Sequence, residues 1–504
     1  MPTYPSLYQL NTRVYLTALS QQLGRPATLD DWPDVELDAY AEAGFDWIWL
    51  LSVWQTGPVG RQVSRSHPGW REQFRMDLPD LQEADIGGSG FAIADYTVAK
   101  EWGGNAALSR LRSRLKQRGL RLMLDFVPNH TALDHPWTQS HPEFYIAGTE
   151  ADLAREPQNY YRLKSPTGSR IFAYGRDPYF PGWPDTLQLN YGNPQLQAAM
   201  RAILTQIATQ CDGVRCDMAM LVLPDVFERT WGIACEPFWE TAIAQVRQTH
   251  PDFVFMAEVY WDLEWTLQQQ GFDYTYDKRL YDRLEAGNVN SVRDHLRADM
   301  DFQRKLARFL ENHDERRAAA VFPPGVHQAA AIITFLAPGL RFFHQGQLNG
   351  RKVRTSVHLL RAATEAINPD LQAFYQQLLN CLKHPIVRHG TWQLLDAIPA
   401  WGDNPTWNQF ILYLWQYQTE AWLVAVNYAP NQGQCYVPLP IAHLTDQPYE
   451  FKDLMGPYRY ERSGKNLRQQ GLYLDLPAWG YHVFTITPLK TQAALPLEKP
   501  AHNP

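Results

Sequence analysis

The chain lacks any hydrophobic run long enough to cross a membrane. Across its 504 residues, no stretch approaches the roughly 18 consecutive apolar residues of a membrane-spanning helix. Its first residues, Met1-Pro2-Thr3-Tyr4-Pro5-Ser6, carry neither the positive charge nor the apolar segment of a secretory signal. We therefore expect a cytoplasmic protein without a membrane partner.

Closely spaced cysteine pairs and a basic stripe are also missing. The number of cysteines is odd and no CxxC pair occurs, which argues against a disulfide framework or a zinc site and predicts reduced thiols. The net charge is −7 and the pI is near 6.1, with acidic and basic residues intermixed. A nucleic-acid partner needs a basic surface, so we expect none. The composition does not indicate an oligomeric state.

What the sequence does contain is a repeating strand and helix pattern. Strand patterns begin at residues 13–17 and 45–53, with a helix over 34–42 between them, and this succession is typical of parallel βα units. The length would allow about three domains, but one large barrel with additions fits equally well. Six further strands are predicted at 120–125, near 213 and 253, and at 272–277, 308–312 and 340–344. Eight such units predict an α/β fold of the (β/α)₈ TIM-barrel type.

The pattern also predicts the domain boundaries. Residues 1–130 and 191–385 are assigned to the barrel, with Asn105 as the N-cap of a helix over 106–117. Residues 131–190, rich in Pro, Gly, Tyr and Trp, are predicted to form an inserted subdomain. Alternating short strands over 386–488 indicate an antiparallel β-sandwich, and 489–504 are predicted to be a disordered tail.

Four carboxylates stand at the ends of short apolar runs of strand length. They are Asp125, Asp217, Glu258 and Asp314. An ionised group in that position is costly unless it faces a cleft with partners. One such residue is more often structural than catalytic, but four in order along the chain suggest a shared cleft.

Two of these carboxylates can divide the work of glycosidic bond cleavage, which needs a nucleophile and an acid. Arg215 lies two residues before Asp217, on the same strand face, and its charge can keep Asp217 ionised. Glu258 follows Phe253-Val254-Phe255-Met256-Ala257, where desolvation can keep it protonated. Asp217 is therefore predicted as the nucleophile and Glu258 as the acid.

Other polar and aromatic residues are candidates for sugar contacts. Asp314 beside His313 could bind two adjacent hydroxyls, and His130 and Asp125 offer similar contacts. Aromatic residues make up 13% of the chain, and some near the acidic strand ends could act as flat platforms for sugar rings. The candidate platforms are Trp54, Trp183, Tyr260 and Trp261, each of which ordinary packing would explain equally well.

These segments together resemble the α-amylase family, glycoside hydrolase family 13. The resemblance covers roughly residues 13–347 and rests on four ordered stretches, which are Asp125-Phe126-Val127-Pro128-Asn129-His130, Gly213-Val214-Arg215-Cys216-Asp217, Glu258-Val259-Tyr260 and Glu311-Asn312-His313-Asp314. It implies that Asp217 is the nucleophile, Glu258 the acid and base, and Asp314 the stabiliser of the transition state. Arg215, His130 and His313 would then bind the sugar at the cleavage point.

The resemblance also implies retention of the α configuration, with the carboxyl groups of Asp217 and Glu258 about 5 to 5.5 Å apart. Phe91 stands where most members stack a tyrosine on the sugar ring. Asn129 resembles a family calcium ligand, but Met220 and Leu221 replace the Lys-His pair that many members use for acceptor sugars and calcium. We expect no required cofactor, and calcium only as a doubtful candidate.

The predicted function is hydrolysis of α-1,4-linked glucans or maltooligosaccharides. Within the same family, glycosyl transfer, activity on sucrose or trehalose, and α-1,6 debranching are alternatives. A non-catalytic glucan-binding relative is an alternative of another class, and such relatives usually lack one of the three carboxylates. Asp217, Glu258 and Asp314 are all present.

Overall fold

The computed structural model describes residues 2–165 and 168–489. Eight parallel strands close into a barrel, in which the first strand pairs with both the second and the last. The barrel strands are β1 Ser6–Asn11, β2 Trp47–Leu51, β3 Arg121–Phe126, β4 Gly213–Cys216, β5 Val254–Ala257, β6 Tyr274–Tyr276, β7 Leu306–Arg308 and β8 Leu340–His344. The predicted TIM barrel is confirmed.

Helices cover the barrel strands, and the apolar face of each helix packs against the strands. The helix Pro194–Ala208, for example, begins with Pro at its first turn and is capped by the Asn193 side chain. The helices of the barrel are Thr12–Leu23, Asp34–Glu42, Gly104–Gln117, Pro194–Ala208, Pro224–Trp231, Trp239–Thr249, Glu264–Gln269, Lys278–Glu285, Val289–Leu296, Met300–Gln303, Ala318–Val321, Val326–Phe335, Pro369–Leu382 and Pro385–His389.

The first strand lies earlier than predicted. Residues 13–17 belong to the helix Thr12–Leu23, whose N-cap Asn11 accepts a hydrogen bond from the backbone N–H of Val14. The true strand contains the buried polar residues Ser6, Gln9 and Asn11, which hide its apolar character. The prediction of a strand at residues 13–17 is therefore wrong.

Two smaller predictions also need correction. Asn105 does not cap the helix Gly104–Gln117, because its Oδ1 accepts from the backbone N–H of Val98 and Gly103 takes the cap position. The seventh strand ends at Arg308 and not at residue 312. After Arg308 the chain no longer pairs with the neighbouring strands, but it remains buried. Glu311 in this segment forms an ion pair with Arg317.

Two excursions rise from the barrel beside the C-terminal strand ends. The one after β2 contains the strands Trp54–Thr56 and Ile93–Val98 and the helices Pro58–Ser66 and Pro68–Asp77. The one after β3 contains the strands His130–Ala132, Tyr160–Ser165, Gly168–Ala173 and Thr186–Gln188 and the helices Trp137–Ser140 and Glu150–Arg155. The sequence pattern indicated the second excursion and missed the first.

The C-terminal region contains two antiparallel sheets that enclose a second apolar core. In spatial order, the larger sheet consists of Thr391–Leu395, Phe410–Tyr417, Glu420–Asn427, Tyr481–Pro488, Pro448–Asp453 and Arg459–Ser463, and the smaller of Ile398–Pro399, Gly433–Val437 and Leu472–Leu476. The helix Gly464–Gln470 links two of these strands. Trp415 joins the larger sheet to the barrel by donating to the Leu336 carbonyl oxygen at 2.8 Å.

Three points remain, which concern the cysteines, membrane spans and the C-terminal tail. All five cysteines are free thiols. Within residues 2–165 and 168–489, no helix is both long and apolar enough to cross a membrane. The predicted disordered tail falls, from residue 490 onward, outside the described residues.

Candidate active site

A cavity of about 280 Å³ opens at the C-terminal ends of the barrel strands. Asp217, Glu258 and Asp314 all line it, although they follow three different strands. The remaining lining residues are Trp70, Ser89, Phe91, His130, Trp183, Asp185, Thr186, Met218, Tyr260 and His358. The structure thus brings the three predicted catalytic carboxylates to one place.

Arg215 links the two carboxylates that are predicted to do the chemistry. Its Nη1 lies 2.6 Å from Asp217 Oδ1, and its Nη2 lies 2.8 Å from Glu258 Oε2. The guanidinium is completely buried. Burial lowers the pKa of Arg215. Glu258, Tyr276 and Asp217 together raise it by more than burial lowers it, so the net pKa lies above the usual range. Arg215 is therefore a permanent positive charge beneath the cavity.

Glu258 is held in the environment that a general acid needs. Burial raises the pKa of its carboxyl, Arg215 lowers it, and the charges of Asp217 and Asp314 raise it again, which gives a net value of about 8. Its Oε2 accepts from the backbone N–H of Met218 at 2.7 Å, and its Oε1 accepts from the Tyr260 hydroxyl at 2.9 Å. Glu258 can therefore stay protonated near neutral pH while its position is fixed.

Asp125 supports Arg215 from below and does not line the cavity. Its Oδ1 lies 4.0 Å from Arg215 Nη1 and accepts from Trp49 Nε1 at 3.2 Å, and its Oδ2 accepts from the backbone N–H of Ser52 at 3.0 Å. Burial raises the pKa of Asp125 to about 7. The predicted sugar contact of Asp125 therefore needs correction, because its carboxyl is buried beside Arg215 and outside the cavity lining.

Asp314 and His313 stand on another side of the site. The Asp314 side chain is 46% exposed, in contrast to the buried Asp217 and Glu258, and its Oδ2 lies 3.1 Å from His313 Nε2. Gln9 Nε2 lies 2.9 Å from His313 Nδ1, and when Gln9 donates there the His313 proton resides on Nε2. Burial lowers the pKa of His313 to about 4, so the ring is neutral.

Aromatic rings form much of the remaining wall. Phe91 stacks against His313 at a centroid distance of 5.4 Å and lies over Arg215 at 5.2 Å. His130 meets Trp183 edge to face at 5.2 Å, and burial lowers the pKa of His130. Phe91, His130, Trp183 and Tyr260 therefore all line the cavity, and their contact with a sugar stays a prediction.

Trp54 does not reach the cavity. Its side chain is completely buried, it packs edge to face on Tyr96, and its Nε1 donates to the Asp125 carbonyl oxygen at 2.7 Å. Packing of this kind leaves no face for a sugar ring. The interpretation of Trp54 as a platform needs correction, and the residue secures the strand end that carries Asp125.

Trp70 and His358 line the cavity without having been predicted. They come from the excursion after β2 and from the segment after β8, and their rings lie 4.5 Å apart. Backbone hydrogen bonds from Gly87 to His358 and from Leu360 to Asp85, both 2.8 Å, join the two segments. In the sequence, each is only an aromatic or His residue in a long loop. Such residues are too common for the sequence to identify these two as site residues.

Asn129 has a structural partner and does not fit a calcium site. Its Oδ1 accepts from Gln188 Nε2 at 3.0 Å, and its Nδ2 donates to Gln188 Oε1 at 3.2 Å. Gln188 Nε2 also lies 3.1 Å from the carbonyl oxygens of Asn129 and Leu189. Elsewhere in the described part of the chain, no group of three or more His, Cys, Asp or Glu is placed to share a metal ion.

Comparisons with known proteins agree with this architecture. The family model for the alpha-amylase catalytic domain matches residues 36–378. The chain is 23% identical over 282 residues to Alpha-amylase 3 of Dictyoglomus thermophilum, which covers 51% of this chain and 53% of that protein. It is 29% identical over 180 residues to the trehalose synthase/amylase TreS of Mycobacterium tuberculosis, which covers 32% of this chain and 28% of that protein.

The chain thus spans about half the length, or less, of these two relatives. Among solved structures, a maltogenic alpha-amylase, AmyB from Thermotoga neapolitana, superposes with a TM-score of 0.67 at 17% identity. That superposition covers 97% of this chain and 99% of that structure. At such identity the likeness concerns the fold.

Proposed function

Because the chain belongs to the alpha-amylase family, we propose that it is a retaining glycoside hydrolase that cleaves α-1,4-glucosidic bonds in glucans or maltooligosaccharides. The observation that carries the proposal is the bridge from Arg215 to Asp217 and Glu258, on a cavity that Asp314 also lines. One guanidinium touches both carboxyl groups, so the two lie close together, as a double-displacement mechanism requires.

In the first step Asp217 attacks the anomeric carbon. Because Oδ1 is held by Arg215, we assign the attack to Oδ2, which forms a covalent bond to the sugar as the glycosidic C–O bond breaks. The electron pair of that bond goes to the leaving oxygen, which takes the proton of Glu258. The raised pKa of Glu258 keeps this proton available.

In the second step Glu258, now ionised, removes a proton from water, and the water oxygen attacks the anomeric carbon. Asp217 leaves as a carboxylate next to Arg215, which stabilises it. Asp314 and the Nε2 proton of His313 are placed to bind sugar hydroxyls, and such contacts accelerate the reaction if they tighten as the ring flattens.

Product analysis with maltoheptaose tests the proposal. Proton NMR during the first minutes should show new reducing ends in the α configuration, before mutarotation produces the β form. Inversion, or products longer than the substrate as the main species, would contradict hydrolysis with retention. Parallel incubations with pullulan and with sucrose, with and without phosphate, distinguish the debranching, sucrose-active and transfer alternatives.

The pH profile should report the environment of Glu258. Its pKa is raised, so the protonated acid persists to about pH 8, and kcat/KM should fall as the pH rises through that range. Tyr260→Phe removes a hydrogen bond that stabilises the ionised carboxyl. We therefore expect the alkaline limb of this variant to move to higher pH, measured as kcat/KM on maltoheptaose from pH 4 to 10. A limb that stays in place or moves to lower pH would contradict the role of Tyr260.

A further inference from the structure

Two loops that are far apart in the sequence pair with each other beside the cavity. One follows β2 and the other follows β8, and a bridge between Ile86 and Leu359 joins them. Both of these side chains are buried in a small apolar cluster. Arg361 donates two hydrogen bonds to the Asp85 carboxylate, at 2.9 and 2.8 Å, and this paired geometry fixes the loops relative to each other. The paired residues, which we call the clasp, are 85–87 and 358–361.

The clasp holds two rings in contact at the edge of the cavity. His358 belongs to the clasp, and its Nδ1 lies 2.9 Å from Ser64 Oγ. The ring of Trp70 lies 4.5 Å from that of His358 and 4.5 Å from that of His67, measured between centroids. Rings at this distance are in van der Waals contact. A sugar chain therefore has no passage between Trp70 and His358.

These two rings lie between two cavities. One is the cavity of about 280 Å³ that Asp217 and Glu258 line, and the other has a volume of about 160 Å³. Trp70, His358 and Asp314 line both of them. The cavity that holds the carboxylates therefore ends at the clasp.

The volume of the carboxylate cavity agrees with a short ligand. Small-molecule sites in proteins usually measure about 300–1,000 Å³, and about 280 Å³ lies just below that range. A groove that binds many sugar rings in a row would have to continue past the clasp. The cavity instead suits one end of a glucan chain.

The position of the clasp indicates which end of the substrate it meets. Its two loops follow β2 and β8, which flank β1, and β1 lies across the barrel from β5, the strand that precedes Glu258. Glu258 protonates the departing oxygen, so the leaving part of the chain lies on the Glu258 side. Tyr260 lines the cavity on that side, whereas the candidate platform Trp261 packs edge to face on Tyr179, outside the lining. The clasp therefore faces the non-reducing end of the glucosyl unit that Asp217 attacks.

We propose that the clasp closes the non-reducing end of the substrate site, so that the enzyme accepts one glucosyl unit on that side of the cleaved bond and removes glucose from chain ends. The inference rests on the proposed function and names its substrate class, which is α-glucans with a free non-reducing end. A chain that continued beyond that unit would collide with Trp70 and His358. Internal bonds of a glucan are therefore not cleaved.

A blocked substrate tests the proposal on the unaltered protein. In maltoheptaose with a 4,6-O-ethylidene group, the glucose at the non-reducing end carries an extra ring on the side that faces the clasp. Its kcat/KM should be at least about 100-fold lower than that of maltoheptaose, because the added ring clashes with the clasp. Chromatography should show glucose and maltohexaose as the first products of unblocked maltoheptaose. Equal kcat/KM values, or maltotriose and maltotetraose as the first products, would overturn the proposal.

Trp70→Ala should open the site toward the smaller cavity. The ratio of kcat/KM on blocked maltoheptaose to kcat/KM on maltoheptaose should then rise at least about tenfold. An unchanged ratio would reject the two rings as the barrier. The blocked-substrate comparison needs no variant, so it decides the proposal if Trp70→Ala does not fold.

Trp137→Ala is the matched control. Trp70 and Trp137 are both partly buried and both lie in excursions of the barrel. Trp137 also contacts a histidine, His135, at a centroid distance of 4.8 Å, but it lies outside the cavity lining. Its replacement should leave the ratio unchanged. A rise of equal size in both variants would mean that the ratio does not report on the clasp, and would overturn the assignment of Trp70.

Binding separates this inference from the proposed function. In an Asp217→Asn background, calorimetric titration should give a Kd for blocked maltoheptaose at least about tenfold weaker than for maltoheptaose. If the unaltered protein cleaves neither substrate, the proposed hydrolase activity fails, and this titration still decides whether the clasp excludes a blocked chain end. Equal Kd values would reject the clasp as the end of the site.

Discussion

Replacing Asp217 by asparagine is expected to lower kcat on maltoheptaose at least about 10⁴-fold, because the amide cannot form the glycosyl-enzyme ester. The side chain keeps its size and still offers an oxygen to Arg215 Nη1, which lies 2.6 Å from Oδ1 in the parent protein. Binding of maltoheptaose should therefore stay within about threefold of the parent value. Steady-state kinetics and calorimetry measure the two quantities.

Asp212→Asn is the matched control for this change. Asp212 stands at the opposite end of the same strand, where it pairs with Arg112 at 2.6 Å and accepts from the backbone N–H of Leu122 at 2.8 Å. It carries the same charge but lies far from the cavity end of β4. Its replacement should leave kcat within about twofold. Turnover by Asp217→Asn at the level of Asp212→Asn would refute the nucleophile assignment.

The barrel could be predicted from the sequence because most of its strands are short, fully buried apolar runs. Leu340–His344 has the bounds that the pattern predicts, and Trp47–Leu51 lies inside the predicted strand. The first strand was not predicted at its true position, because Ser6, Gln9 and Asn11 are polar yet buried. Gln9 contacts His313 and Asn11 caps the next helix. Gln9 and Asn11 are therefore polar because of these contacts, at positions where a strand pattern requires apolar residues.

The meeting of three carboxylates at one cavity could be predicted because a costly charge at the end of a buried strand is visible in the sequence. Their supporting partners were visible only in part. Arg215 shares the strand of Asp217, so spacing sufficed to find it. Tyr276, whose hydroxyl lies 3.3 Å from Arg215 Nε, and Trp49, whose ring lies beneath that guanidinium, come from other strands. Such contacts depend on the closed barrel.

The loops were the least predictable part of the site. Trp54 and Trp70 both follow β2, and the sequence does not distinguish a ring that packs inward from one that faces the cavity. Trp54 is completely buried, whereas Trp70 lies between His67 and His358, with centroid distances of 4.5 Å to each. His358 reaches this place only because its segment pairs with residues 85–87. The distinction arises from long-range pairing that no local pattern contains.

Replacing Arg215 by methionine should have the largest combined effect on activity and stability. The variant leaves the buried Asp217 and Glu258 without the cation that contacts both. Removing one partner of a buried charge network destabilises a protein by about 3–5 kcal/mol, which should appear as a lower midpoint of thermal unfolding. We also expect kcat to fall at least about 10³-fold. Arg215 lowers the pKa of Glu258, so any residual activity should persist to higher pH.

Arg308→Met separates the catalytic loss from the loss of stability. Arg308 is equally buried in the barrel and pairs with Asp277, which does not line the cavity. Its replacement should also lower the unfolding midpoint, because it removes a buried cation from Asp277, whose remaining ion-pair partner is His295 at 2.8 Å. At a temperature where both variants are folded by circular dichroism, Arg308→Met should keep kcat within about threefold, and Arg215→Met should not. Equal kcat values for the two variants would mean that the guanidinium of Arg215 supports only the fold, and the assignment of Asp217 and Glu258 as a bridged pair would lose its basis.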